Sequence, residues 1–212
     1  MLSEHPLGRF WGRLQARLRP APIDTVGELR TFVRERAFFL AQKCAFDYCR
    51  GKTGLASYAL FSEKTFLDAL EICRWETAVT MIGDLLILVE GILRPQAPAE
   101  RRQQLGDALL NLHAAILAAL PPAPAHRAQG WGDALDAFTL RLGAARLRAP
   151  QQALDVADHS ARRLYDTLPI HSSMRDMDHE VVYGAVRFRM IALSDEMRKR
   201  LAAAQLARQL LD

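Results

Sequence analysis

The sequence predicts an all-α fold, and three features point to it. Apolar residues recur with helical spacing through most of the chain, no alternating run of β-branched or aromatic residues stands between turn signals, and the prolines fall between the periodic segments. Half of the 212 residues are apolar, enough for a sizeable core. The expected architecture is a single-domain antiparallel helical bundle of about five core helices plus an N-terminal amphipathic helix. Residues 1–23 form a basic arm with a proline-rich linker, and residues 24–212 form the bundle.

The segment from Phe66 to Leu93 organises the rest. At 100° per residue, Trp75, Ile82, Leu86, Val89 and Leu93 share one stripe, flanked by Ile72, Val79 and Leu85. Its second half is apolar nearly all round, as in a helix lying between neighbours. Glu71, Arg74, Glu76, Asp84 and Glu90 argue against a membrane span, since each central ionised group costs about 2.5–3.5 kcal/mol on insertion scales.

Residues 7–18 place Phe10, Trp11, Leu14 and Leu18 on one side of a short helix and repeat Arg9, Arg13 and Arg17 on another. Such a helix suits an anionic membrane surface, a protein partner or self-association, and equally its own core. After the prolines at 20 and 22, Thr25 and Glu28 have capping-box spacing and start a helix with Leu29, Val33, Ala37, Leu40 and Cys44 on its inner face and Gly51 as its stop. Ser62 and Glu63 offer a cap to the central helix. If these two helices pack antiparallel, Asp47 meets Arg74 and Arg50 meets Glu71, with Arg36–Asp84 and Lys43–Glu76 matching in height; Lys43 and Asp47 also suit an i, i+4 pair. The expectation is a charged seam between the two.

Arg94-Pro95 ends the central helix, and the next carries Leu105, Leu109, Leu112, Ile116 and Leu120 up to Pro121. The stretch 121–130, rich in proline and alanine, is expected to be a mobile loop. A helix from about Trp131 to Arg148 carries Leu135, Phe138, Leu142 and Ala145; another after Pro150 carries Leu154, Ala157, Ala161, Leu164 and Tyr165. Ser173 and Asp176 then resemble a capping box for a long final helix through Val186, Met190, Leu193, Met197, Leu201 and Ala204.

The charge is modest, 28 Lys+Arg against 24 Asp+Glu, and its excess is spread over residues 1–50 and 101–150. The aromatic residues Phe38, Phe39, Phe46 and Tyr48 follow a helix rather than a basic surface, so nucleic acid is not the expected partner. Cys44, Cys49 and Cys73 are an odd set without CxxC spacing, which indicates neither a disulfide framework nor a zinc motif. With no secretory signal, the expected location is the cytoplasm or the face of a membrane.

Two groups of residues are candidates for chemistry. His171, Asp176, Asp178 and His179 have the donor types of a divalent-metal site or an acid–base pair, although their spacing matches no established metal motif and capping alone explains the two aspartates. Cys73, Thr77, Thr80 and Asp84, with Gly91, form a strip on the central helix that would line a small-ligand pocket or admit a close helix. No motif specifies a cofactor, a nucleophile or a phosphate loop. The leading expectation is therefore a non-catalytic interaction or assembly protein working through its N-terminal helix. The alternative is a bundle that binds a small ligand or metal, with hydrolytic activity in reach.

Overall fold

The structure, a computed structural model, describes residues 21–121 and 125–212. The amphipathic arm carrying Arg9, Phe10, Trp11, Arg13, Leu14, Arg17 and Leu18 lies outside the described residues. Within them the chain is all-α. Seven helices of more than two turns run α1 Val26–Thr53, α2 Lys64–Leu93, α3 Arg102–Ala118, α4 Gly132–Arg146, α5 Ala153–Thr167, α6 His179–Arg200 and α7 Ala203–Leu211. Single helical turns at Ser57–Leu60 and Ser172–Arg175 link α1 to α2 and α5 to α6. No helix among the described residues is long and apolar enough to cross a membrane.

The capping box at Thr25 is present: its hydroxyl accepts from the Glu28 amide, and the Glu28 carboxylate accepts from the amides of Asp24 and Thr25. The helix then runs past Gly51 and stops at Gly54, whose φ of 51° is open to glycine and strained for other residues. At the start of α2, Ser62 makes no cap. Its hydroxyl turns back to the carbonyls of Tyr58 and Ala59, which leaves Glu63 at the N-cap without a side-chain bond.

α2 is the axis of the molecule. From Trp75 to Glu90 every residue but Thr80 is buried, because α1, α5, α3, α4 and α7 all pack on it. Its most extensive contacts are with α1 and α5, and α5 in turn packs on α6, which closes back on α1. The inner face of α1 is small there, with Ala37, Ala41, Cys44, Ala45 and Cys49 buried, which lets the two backbones approach. A second cluster joins Trp75, Val79 and Trp131, the two indoles stacked at 6.1 Å and Phe38 edge-on to Trp75 at 4.9 Å.

The charged seam between α1 and α2 does not form. Asp47 bonds to Arg189 of α6 at 2.8 Å and to Lys43 of its own helix, while Arg74 pairs with Glu71 one turn away. Arg36 reaches Glu196 of α6, and neither Arg36–Asp84 nor Lys43–Glu76 is made. The polar flank of α1 meets α6, whose position sequence spacing does not reveal, and the face it turns to α2 is apolar.

The final helix is broken where one unbroken helix was expected. The Ile23 amide donates to the Arg200 carbonyl, and the Ala202 amide donates to Ile23, so residues 201 and 202 leave the helix to form a short bridge. Ile23 is buried as a result. The Gln209 side chain fastens the same corner by accepting from the Val26 amide and donating to the Asp24 carbonyl.

His113 sits inside the apolar stripe of α3, fully buried against the Phe138 ring with Nδ1 unpartnered. Burial, aided by the charge of Arg141, lowers its pKa to about 4 from 6.5. The unfolded chain therefore takes up a proton below pH 6.5 that the folded chain refuses until about pH 4, and stability falls with pH across that window by up to ~1.4 kcal/mol per unit. His113→Leu should flatten urea-unfolding free energies between pH 6.5 and 4 and leave a more stable protein at pH 5; an unchanged slope would contradict this.

Candidate functional site

The strip on α2 faces α5. Cys73 and Thr77 are fully buried, the Cys73 thiol lying 3.9 Å from the Leu164 carbonyl, and the small side chains of Ala157, Ser160 and Ala161 on α5 are buried as well. The upper part of the strip is thus a close helix–helix contact and not the wall of a pocket. Asp84 is completely buried and bonded to the Arg141 guanidinium of α4 and to the Ser160 amide of α5. Gly91 lies against the loop before α5, where a Cβ would sit 3.2 Å from Pro150.

Asp84 is one of three carboxylates that α2 takes into the interior. Glu76 receives a two-pronged contact from Arg127, at 2.6 and 2.7 Å, a second guanidinium from Arg163 of α5, and His126 at 3.0 Å. Burial raises the Glu76 pKa, but hydrogen bonds from Arg127 and Arg163 together outweigh it and hold the carboxyl at about 2. Glu90 is gripped by both prongs of Arg94, which also donates to the carbonyls of Ala145 and Arg148 and so closes the C-terminal end of α4. The Arg127 contact also corrects the mobile-loop expectation for residues 126 and 127, which are anchored to α2.

Between α2, α4 and α5 lies a cleft of about 310 Å³ walled by Thr80, Trp131, His159, Arg127, Arg141 and Arg163. Arg127 covers the Trp131 ring at 4.8 Å. Thr80 is the one member of the predicted ligand strip that lines it. Arg127, Arg141 and Arg163 are already committed to Glu76 and Asp84, and Arg162, which also lines the cleft, stands 3.8 Å from Asp166, so most of its positive charge is paired. His159 titrates lower than usual, through burial first and then the charge of Arg141. The hydroxyls of Thr80 and Ser160 donate to the carbonyls of Glu76 and Ala157 in their own helices, which leaves neither paired with a base. Burial pushes the thiols of Cys44 and Cys73 up to about 11 and that of Cys49 to about 12, the signature of unreactive core cysteines.

The predicted metal cluster is dispersed among structural duties. His171 caps the turn Ser172–Arg175 by accepting from the Ser173 amide. The Asp178 carboxylate takes Lys52 at 2.6 Å and the Tyr48 hydroxyl at 2.8 Å, and these two bonds hold its pKa below the usual range. His179 stacks on Tyr183 at 3.9 Å and meets Tyr165 edge-on, and Asp176 is exposed in the turn before α6. Ser173 and Asp176 form no capping box, because α6 begins at His179 behind Asp178. Among the described residues, no group of three or more His, Cys, Asp or Glu side chains is placed to hold a metal ion.

No family profile, curated protein or solved structure matches this chain. Sequence reasoning missed Glu76, Glu90, Arg127, Arg141 and Arg163, although one signal was available: carboxylates at 76, 84 and 90 within an apolar helix demand partners from elsewhere.

Because folding lowers its pKa, Glu76 contributes its stability in full above the ordinary carboxylate value of 4.5, and that contribution disappears as pH falls toward about 2. Glu76→Gln should therefore lower stability at pH 7 and flatten its decline between pH 4.5 and 2 in urea titrations. A variant as stable as the parent at neutral pH, with the same acid slope, would contradict this.

Proposed function

We propose that the protein is a non-catalytic interaction or assembly module, an antiparallel helical bundle that recognises its partner through its surface. One observation carries the reading. α6 turns Val182, Val186, Met190, Leu193 and Met197 into the core, yet its opposite side presents Val181, Phe188 and Ile191, which are 62, 74 and 40% exposed, together with Gly184. An apolar stripe on the outward side of a long helix is what a recognition surface needs. The interior supports the same reading, since its carboxylates are paired and its thiols raised in pKa, which leaves no activated nucleophile there.

The amphipathic arm, with Phe10, Trp11, Leu14 and Leu18 opposite Arg9, Arg13 and Arg17, is a second attachment point, toward a protein or an anionic membrane. The alternative function, binding of a small ligand, rests on the cleft beside Thr80 and Trp131.

A photo-crosslinking residue in place of Phe188 should give a discrete covalent adduct in the native cell, and the same residue in place of the exposed Leu147 should give none; no adduct from position 188 would overturn the reading. For the arm, the full chain should sediment with anionic vesicles and a chain lacking residues 1–20 should not. Equal sedimentation of the two, or none by the full chain, would remove the membrane branch.

A further inference from the structure

We propose that the partner of the α6 face is a second copy of this chain, the two α6 helices packed antiparallel about a two-fold axis level with residue 186. This rests on the reading of α6 as a recognition surface and names what it recognises.

The outward residues Val181, Gly184, Phe188 and Ile191 advance in steps of three and four, the spacing of a seam between two helices, and Asp195 ends the row one step further on. About an axis at residue 186, Phe188 comes level with Gly184 of the partner, and Val181 with Ile191 of the partner. Each pair occurs twice, as an isologous contact requires. Gly184 supplies a hole for the ring. Its φ is not positive and a Cβ built on it would meet nothing within 4 Å, so neither its own backbone nor its neighbours in the chain call for glycine. In mid-helix that glycine costs about 1 kcal/mol relative to alanine, a cost explained if another surface approaches there.

The charges fit the same register. Asp176 stands in the turn before α6, and Asp195, Arg198 and Lys199 stand near its end; all four are exposed, and among the described residues none is ion-paired, which leaves the far end with a net single positive charge. Pairing about residue 186 sets the acidic turn before α6 against the end of the partner's α6, where Arg198 and Lys199 outweigh Asp195, at both ends of the seam, with the helix dipoles opposed. Arg187, which falls beside the axis, does not bring two bare charges together, because Asp158 holds its guanidinium at 2.8 and 3.1 Å. A parallel pairing would instead set like-charged ends side by side.

Sedimentation equilibrium of the full chain over a concentration series should show a reversible dimer. Phe188→Glu should raise its dissociation constant by on the order of 30-fold or more, the size expected for a buried aromatic anchor, with an unchanged helical circular dichroism signal. Asp176→Arg should weaken the dimer, and adding Arg198→Asp with Lys199→Asp should restore it. A chain that is monomeric at every concentration overturns the proposal, as does a dimer that tolerates Phe188→Glu or one that is lost only when residues 1–20 are removed. The mass of the adduct from position 188 separates the two readings: twice the chain's mass supports the second copy, a different mass overturns it while leaving α6 a recognition surface, and no adduct overturns both.

Discussion

Three carboxylates inside an apolar helix govern this molecule. Glu76, Asp84 and Glu90 are each at most 5% exposed, and an ionised carboxylate in such surroundings is tolerated only with a cation and hydrogen bonds at hand. Arg94, just past the end of α2, serves Glu90, and the other partners come from elsewhere in the chain. Arg127 from the loop before α4, Arg141 from α4 and Arg163 from α5 supply them. Apolar burial drives collapse and is non-directional, so it specifies the height of one helix against another less sharply than a buried ion pair does. A guanidinium two helices away has to arrive at one height and one angle, so these pairs fix the register in which α4 and α5 meet α2.

The helices were legible in the sequence because their cause is local. The stripe Trp75, Ile82, Leu86, Val89, Leu93 and the box Thr25–Glu28 act within a few turns, and both hold in the structure. What failed was long-range. The seam of Asp47 with Arg74 assumed that neighbours in sequence own each other's charges, whereas Asp47 belongs to Arg189, 142 residues on. The break at Leu201 has no signal in its own sequence, since it follows from Ile23 bonding across to the end of α6.

The candidate sites show the same division. Reading Asp84 as a ligand-binding carboxylate took account of its helix and not of Arg141 opposite. Reading His171 to His179 as a metal group took account of donor types, whereas Lys52, Tyr48 and Tyr165 arrive from other helices, and Tyr183 from the next turn of α6, to claim Asp178 and His179. With the buried carboxylates assigned to their arginines, the proposed recognition surface lies on the outside. There α6 is the clearest feature, a helix with a core face and a second apolar face turned away from the core. The arginines thus order the interior, and the proposed recognition surface consists of side chains that do not participate in that order.

The most direct test of the central claim, that buried ion pairs set the register of this fold, is a double-mutant cycle on Asp84 and Arg141 by urea unfolding. Asp84→Leu and Arg141→Met should each cost about 3–5 kcal/mol, and the double variant should cost far less than both together, because the second change removes a stranded charge. Additive losses, or single variants as stable as the parent, would show that apolar packing alone places α4 against α2.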